Sequence, residues 1–152
     1  MSERKCEQRK ICCAQDTALT LIRLTLGYTF ILHGAQKLFG LFGGPGLQGF
    51  TSWLGTLGVG SLWAKLAAIA EFAGGVLLLT GIASEVGALL TIPVMLGAVF
   101  LVHWSKGFFG QNGGYEYPLN LVLFALAVII GGPGKWALWN PFRAWRRSYC
   151  RD

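Results

Sequence analysis

Residues 61–81 read SLWAKLAAIAEFAGGVLLLTG. Two side chains in this run are ionisable, Lys65 near its start and Glu71 at its middle; every other position is apolar, small or hydroxyl-bearing. No face of a 3.6-residue helix is polar here, so the run predicts a bilayer span or a helix sunk in a large core. At about 1.5 Å per residue it reaches roughly 31 Å, the thickness of bilayer hydrocarbon. A 152-residue chain has no core large enough to hide it. The composition agrees: 53% of residues are apolar, 22 are Gly and only 13% are charged, about half the share of a soluble domain.

Three further runs resemble it. Residues 18–39 form the least oily, with Arg23, His33, Gln36 and Lys37. Residues 86–103 contain Pro93, a kink that a span tolerates when neighbours compensate. Residues 117–130 are short and extend to about 114–132, where Gly131, Gly132, Pro133 and Gly134 end the run. The expected fold is an all-α membrane protein, a four-transmembrane-helix bundle built from residues 18–132. A segment of residues 1–17 precedes it and a basic tail of residues 133–152 follows.

Charge sets the expected orientation. Residues 1–16 hold four basic and three acidic groups, and residues 133–152 hold five and one, within a net charge of +6. Basic ends around a nearly neutral centre put both termini in the cytoplasm, with Arg23 extending its guanidinium toward lipid headgroups. No basic stripe interleaved with aromatics favours nucleic acid. Arg23 ahead of the short run 24–32, followed by His33 and Lys37 with no small-residue cleavage site, argues against a secretory signal peptide.

In the first outer loop, Leu47, Phe50, Leu54 and Leu57 recur at helical spacing beside Trp53, which predicts a short interfacial helix, with a re-entrant segment as the alternative. Trp136, Trp139, Phe142 and Trp145 read as interfacial anchors on the inner side. Cys6, Cys12, Cys13 and Cys150 all lie in the tails without CxxC or nearby His, and in the cytoplasm would be reduced thiols, with lipidation weakly signalled.

The ionisable side chains gather in the outer half. Helical rise puts His33, Lys37 and Glu71 below the outer boundary, His103, Lys106 and Glu116 near it, and Asn120 a turn or more below. A lone carboxylate at mid-bilayer must be paired, hydrated or protonated. The expected pair is Glu71 with His33, able to exchange a proton, with Lys37 nearer the surface. Gly74 and Gly75 on one helix and Gly27 and Gly34 on the other would allow close approach. Pinning of two helices is the plainer role for that pair. His33 and His103 complete no metal site, and their depths do not suit haem. Residues 30–40 (FILHGAQKLFG) and 100–110 (FLVHWSKGFFG) share Phe, His, Phe and Gly at an offset of 70. A parallel two-helix duplication and coincidence both fit that echo.

Several motifs together resemble the DoxX family: HGAQKLFG at 33–40, FGGPGLQGF at 42–50, and EFAGG at 71–75 followed by LTG at 79–81. His103-Trp104 leading into Gly107-Phe108, and NGGYE at 112–116, complete the set over about residues 21–136. Many members carry an aspartate after the last span, and Gly134-Lys135-Trp136-Ala137-Leu138 has none. The resemblance implies a four-helix protein of the bacterial cytoplasmic (inner) membrane. Relatives include a subunit of a thiosulfate:quinone oxidoreductase and partners of thiol and oxidative-stress systems.

The expectation is a membrane redox accessory without a complete catalytic set, in contact with lipid and with protein partners of a redox complex. Its outer pocket would draw on His33, Lys37, Glu71, His103, Lys106, Glu116 and Asn120 and suit a quinone headgroup or another small ligand. A non-catalytic scaffold subunit and a small-solute or ion carrier are the alternatives.

Overall fold

A computed structural model describes residues 2–139, with backbone alone for residues 2–6, 8 and 9. Five α-helices follow one another: α1 (Ser2–Phe39), α2 (Gly46–Thr56), α3 (Ser61–Thr80), α4 (Ser84–Gly97) and α5 (Glu116–Gly131). Among the described residues there is no strand. The stretches Lys10–Phe39, Ser61–Thr80 and Ser84–Lys106 are long and apolar enough to cross a membrane; α5 is as apolar but shorter. Large apolar side chains such as Leu21, Ile69, Leu89 and Leu123 face outward. A bilayer solvates such a surface and water does not.

Each helix stops where its sequence supplies the stop. Gly40, at φ +69°, closes α1, and Gly81, at φ +78°, closes α3 with its N–H on the Leu77 carbonyl at 3.0 Å. Glycine takes this left-handed conformation without steric cost. Residues 2–17 are helical and continuous with the first apolar run. In α4, Pro93 cannot donate to the carbonyl one turn back. A π-helical turn, Ala98–His103, follows, and a 3-10 turn, Trp104–Lys106, ends the rod. Its partner in the sequence echo, residues 30–39, stays regular α-helix, so the two segments differ in local structure.

Helix α1 packs on α3, α3 on α4, α4 on α5, and α5 back on α1, closing a four-helix ring. Leu26 and Phe30 of α1, Leu78 of α3, Met95 of α4, and Val122 and Val128 of α5 fill its centre. Glycines set the approach of the backbones. A Cβ at Gly34 would lie 2.7 Å from the Phe72 backbone, and one at Gly75 would lie 2.7 Å from that of Ile31. Gly27 meets Leu79 in the same way. Gly74, expected on this α1–α3 seam, instead faces α4, where Thr91 and the carbonyl of Gly87 leave no room for a side chain. One glycine pair thus opens onto two neighbours.

The short helix α2 forms as the apolar spacing predicts, but its apolar edge meets protein. Phe50 and Leu54 are buried against Ala64 and Ala68 of α3, with Leu38, Leu47 and Val59 around them.

At the opposite end the structure corrects the expectation for Arg23. Its guanidinium does not reach out to headgroups; the side chain is 1% exposed. It donates to the carbonyls of Leu78, Leu79 (2.9 Å), Pro133 (2.8 Å) and Trp136 (3.1 Å). The last four carbonyls of any helix lack helical partners, and here all four of α3 are satisfied. Gly81 N–H serves Leu77, Arg23 serves Leu78 and Leu79, and Leu138 N–H serves Thr80 at 3.2 Å. Thr20 adds a second tie, accepting from Lys135 N–H at 2.9 Å. The segment after α5 is thereby strapped under the bundle.

Trp136 and Trp139 are exposed, as anchors would be, while Phe142, Trp145 and Cys150 lie outside the described residues. The expectation of reduced thiols fails at Cys12, which is disulfide-bonded. Its neighbour Cys13 is a free, exposed thiol with the Lys135 ammonium 3.8 Å away.

Candidate functional site

Glu71 sits midway along α3, 1% exposed, where Gly34 and Gly75 bring α1 and α3 together. Its carboxylate pairs with the Lys37 ammonium from the last turn of α1. The residue expected as its partner, His33, is exposed, with its ring 6.3 Å from that of Tyr117 on α5. Both His33 and Lys37 were candidates on spacing; the flexible four-carbon stem of Lys37 is the one that reaches the carboxylate. A buried carboxylate without a partner is strongly disfavoured, so the ion pair is the condition for keeping Glu71 in the bundle.

Lys37 also holds a second position. Its ammonium lies 5.3 Å from the ring centroid of Phe50 on α2, a cation–π contact. Both residues border a cavity of about 320 Å³ between α2, α3 and α4. Trp53, Trp63, Pro93 and Leu101 line the rest of its wall, together with His103 at the end of the π-helical turn. The widened turn and the proline thus lie in the cavity wall, as π-turns often do at functional sites. The lining is hydrocarbon, indole and the Met95 thioether except for Lys37 and His103, with Glu71 one contact behind Lys37. Such a cavity suits an apolar molecule with a polar group at one edge.

The other expected site residues have separate places. His103 Nδ1 lies 2.6 Å from the Gly113 carbonyl, and Glu116 accepts from Gly110 N–H at 2.9 Å. Lys106 lies along Gly113, its Cδ 3.2 Å from where a Cβ there would stand. Together they fold the 107–115 loop, which is pinned further by Tyr115 N–H on Gly107 and Glu116 N–H on Phe108. Glu116 occupies the first turn of α5, where a negative charge complements the helix dipole. Asn120 is exposed on α5 and does not border the cavity. Of the seven expected residues, the structure brings Lys37, Glu71 and His103 together and distributes the other four. Phe50, Trp53 and Trp63 join them; only the helical spacing around Phe50 and Trp53 hinted at this in the sequence. Among the described residues, no three His, Cys, Asp or Glu side chains converge as a metal site would require.

The family model described as DoxX matches residues 18–104, which span Lys37, Glu71 and His103 and stop before α5. A Bacillus subtilis (strain 168) protein named "Putative oxidoreductase CatD" is 31% identical over 108 residues, 71% of this chain and 75% of its own. An uncharacterized protein of Haemophilus influenzae is 30% identical over 131 residues, 82% of this chain and 90% of its own. "Uncharacterized membrane protein Rv3486" of Mycobacterium tuberculosis is 27% identical over 134 residues, 77% of this chain and 76% of its own. No solved structure matches the chain. With more than half of its residues under the family model and the ion pair and cavity inside that stretch, the chain belongs to the DoxX family of membrane proteins.

Proposed function

We propose that the chain crosses the bacterial cytoplasmic membrane four times, with both tails inside, and serves a redox system as a ligand-holding accessory subunit. The ligand is an amphipathic small molecule of the quinone class, seated in the cavity with its polar edge at Lys37. The observation that carries this reading is the cavity itself: about 320 Å³, walled by hydrocarbon and indole, with one ammonium held in place by a buried carboxylate. The name of the Bacillus subtilis relative supports the redox context. The basic residues of both tails support the orientation, which would place the Cys12 disulfide on the reducing side of the membrane. Helix α5 spans about 24 Å at standard rise, and local thinning of the bilayer would accommodate that shorter crossing.

A short-tailed benzoquinone titrated against the purified protein should bind saturably. Lys37→Met should weaken binding about tenfold, the worth of one charge-assisted hydrogen bond. Absent binding of both the quinone and its reduced form, or equal affinity in both proteins, would end the quinone reading.

A scaffold role is the second reading, favoured by the exposed Trp104, Phe108, Phe109, Trp136 and Trp139 at the helix ends. Crosslinking in native membranes would then recover one defined partner. A lone chain would count against it.

A further inference from the structure

We infer that His103 is the hydrogen-bond acceptor of the cavity and selects ligands that carry a ring hydroxyl. This assignment rests on the reading of the cavity as a ligand site. A carbonyl oxygen can only accept, so the 2.6 Å contact with Gly113 requires the proton on Nδ1 of His103. A neutral imidazole carries one N–H, which leaves Nε2 with a free lone pair.

The rest of the lining sharpens the argument. Lys37 offers N–H donors beyond the one spent on Glu71, and the indoles of Trp53 and Trp63 can only donate. Apart from the weakly accepting Met95 sulfur, His103 is the one residue lining the cavity whose side chain can accept a hydrogen bond, and with Nδ1 on Gly113 the accepting atom is Nε2. A fully oxidised quinone brings acceptors alone and would leave Nε2 without a partner. A ring with a hydroxyl at one position and an oxygen acceptor at another satisfies both His103 and Lys37. The ligand class is therefore the hydroxyl-bearing, reduced ring, a quinol or a phenol of similar size. His103 acts here as a specificity residue fixed in its tautomer by the 107–115 loop.

The test uses three probes with one decyl tail under anaerobic conditions: a benzoquinol, the matching benzoquinone and the quinol dimethyl ether. Occupancy is read from quenching of Trp53 and Trp63 in a variant whose other tryptophans are phenylalanine. Wild-type cavity residues should bind the quinol about tenfold more tightly than the ether or the quinone. In His103→Asn the amide nitrogen stands in for Nδ1 and keeps the Gly113 bond, while the distal acceptor is gone. The preference should fall below about twofold there with ether affinity unchanged, the signature of a lost acceptor and not of a disturbed loop. In His103→Gln the amide reaches the Nε2 position and should restore at least about threefold preference. Saturable binding of all three probes with equal affinity, or a full preference kept in His103→Asn, would overturn the assignment and leave the cavity reading standing. No saturable quenching by any probe would remove the cavity reading, and the assignment with it. Should His103→Asn fail to fold, the contrast between quinol and ether in the parent and in His103→Gln decides the matter.

Discussion

Replacing Arg23 by Met should destabilise the bundle far more than replacing a lipid-facing residue. The guanidinium holds four carbonyls from three segments: Leu78 and Leu79 at the end of α3, Pro133 just after α5, and Trp136 further on. Methionine keeps much of the apolar stem and provides no donor. Each buried carbonyl left without a partner costs about 1–3 kcal/mol. The desolvation of the guanidinium, about several kcal/mol, is recovered at the same time. Four stranded carbonyls at about 2 kcal/mol each, offset by about 5 kcal/mol of recovered desolvation, leave a net loss near 3 kcal/mol. For a chain of this size that lowers the melting temperature by roughly 10 °C. The assay is thermal unfolding in detergent followed by far-UV circular dichroism. Arg23→Lys serves as the comparison, because an ammonium carries the charge but lacks the planar fork that spans separated carbonyls. It should lie closer to Met than to wild type. A melting temperature for Arg23→Met within about 2 °C of wild type, or full rescue by Lys, would refute the capping argument.

Lys37→Met strands the buried Glu71 carboxylate, and should cost about 3 kcal/mol by thermal unfolding, whereas Lys37→Met combined with Glu71→Gln should recover most of that loss. Gly34→Ala drives a Cβ into the Phe72 backbone and should cost at least about 2 kcal/mol, while Gly55→Ala, which meets open space in α2, should be neutral or stabilising by about 0.5 kcal/mol in the same melts. Maleimide labelling of the unreduced protein, mapped by tandem mass spectrometry, should mark Cys13 and spare Cys12, and prior reduction should expose both.

The helices were legible because bilayer spans write themselves as uninterrupted apolar runs. Residues 61–81 and 86–103 correspond to α3 and to α4 with its π-turn, each within two residues at either end. The amphipathic spacing around Phe50 announced α2, although not that α3 would cover it. Side-chain partners were less legible, because helical spacing fixes a direction to within a turn but not the reach of the side chain. His33 and Lys37 both point toward α3 by that rule, and only the longer one arrives at Glu71. Arg23 defeated the general tendency of charged side chains to seek headgroups, because carbonyls from distant segments gather around it. No local pattern encodes that convergence. The cavity was hidden for the same reason: its wall joins Lys37, Trp53, Trp63 and His103 from four separate stretches of chain.

The central claim is that the cavity beside the Lys37–Glu71 pair is occupied by an amphipathic ligand in the membrane. The direct measurement is mass spectrometry of the organic extract from protein purified in native nanodiscs, wild type against Ala98→Phe, which adds a ring to the cavity wall. One redox-active, hydroxyl- or carbonyl-bearing ring compound should be retained by wild type at about one per chain and lost at least about tenfold in the variant. Identical extracts from both proteins, containing bulk lipid alone, would contradict the account.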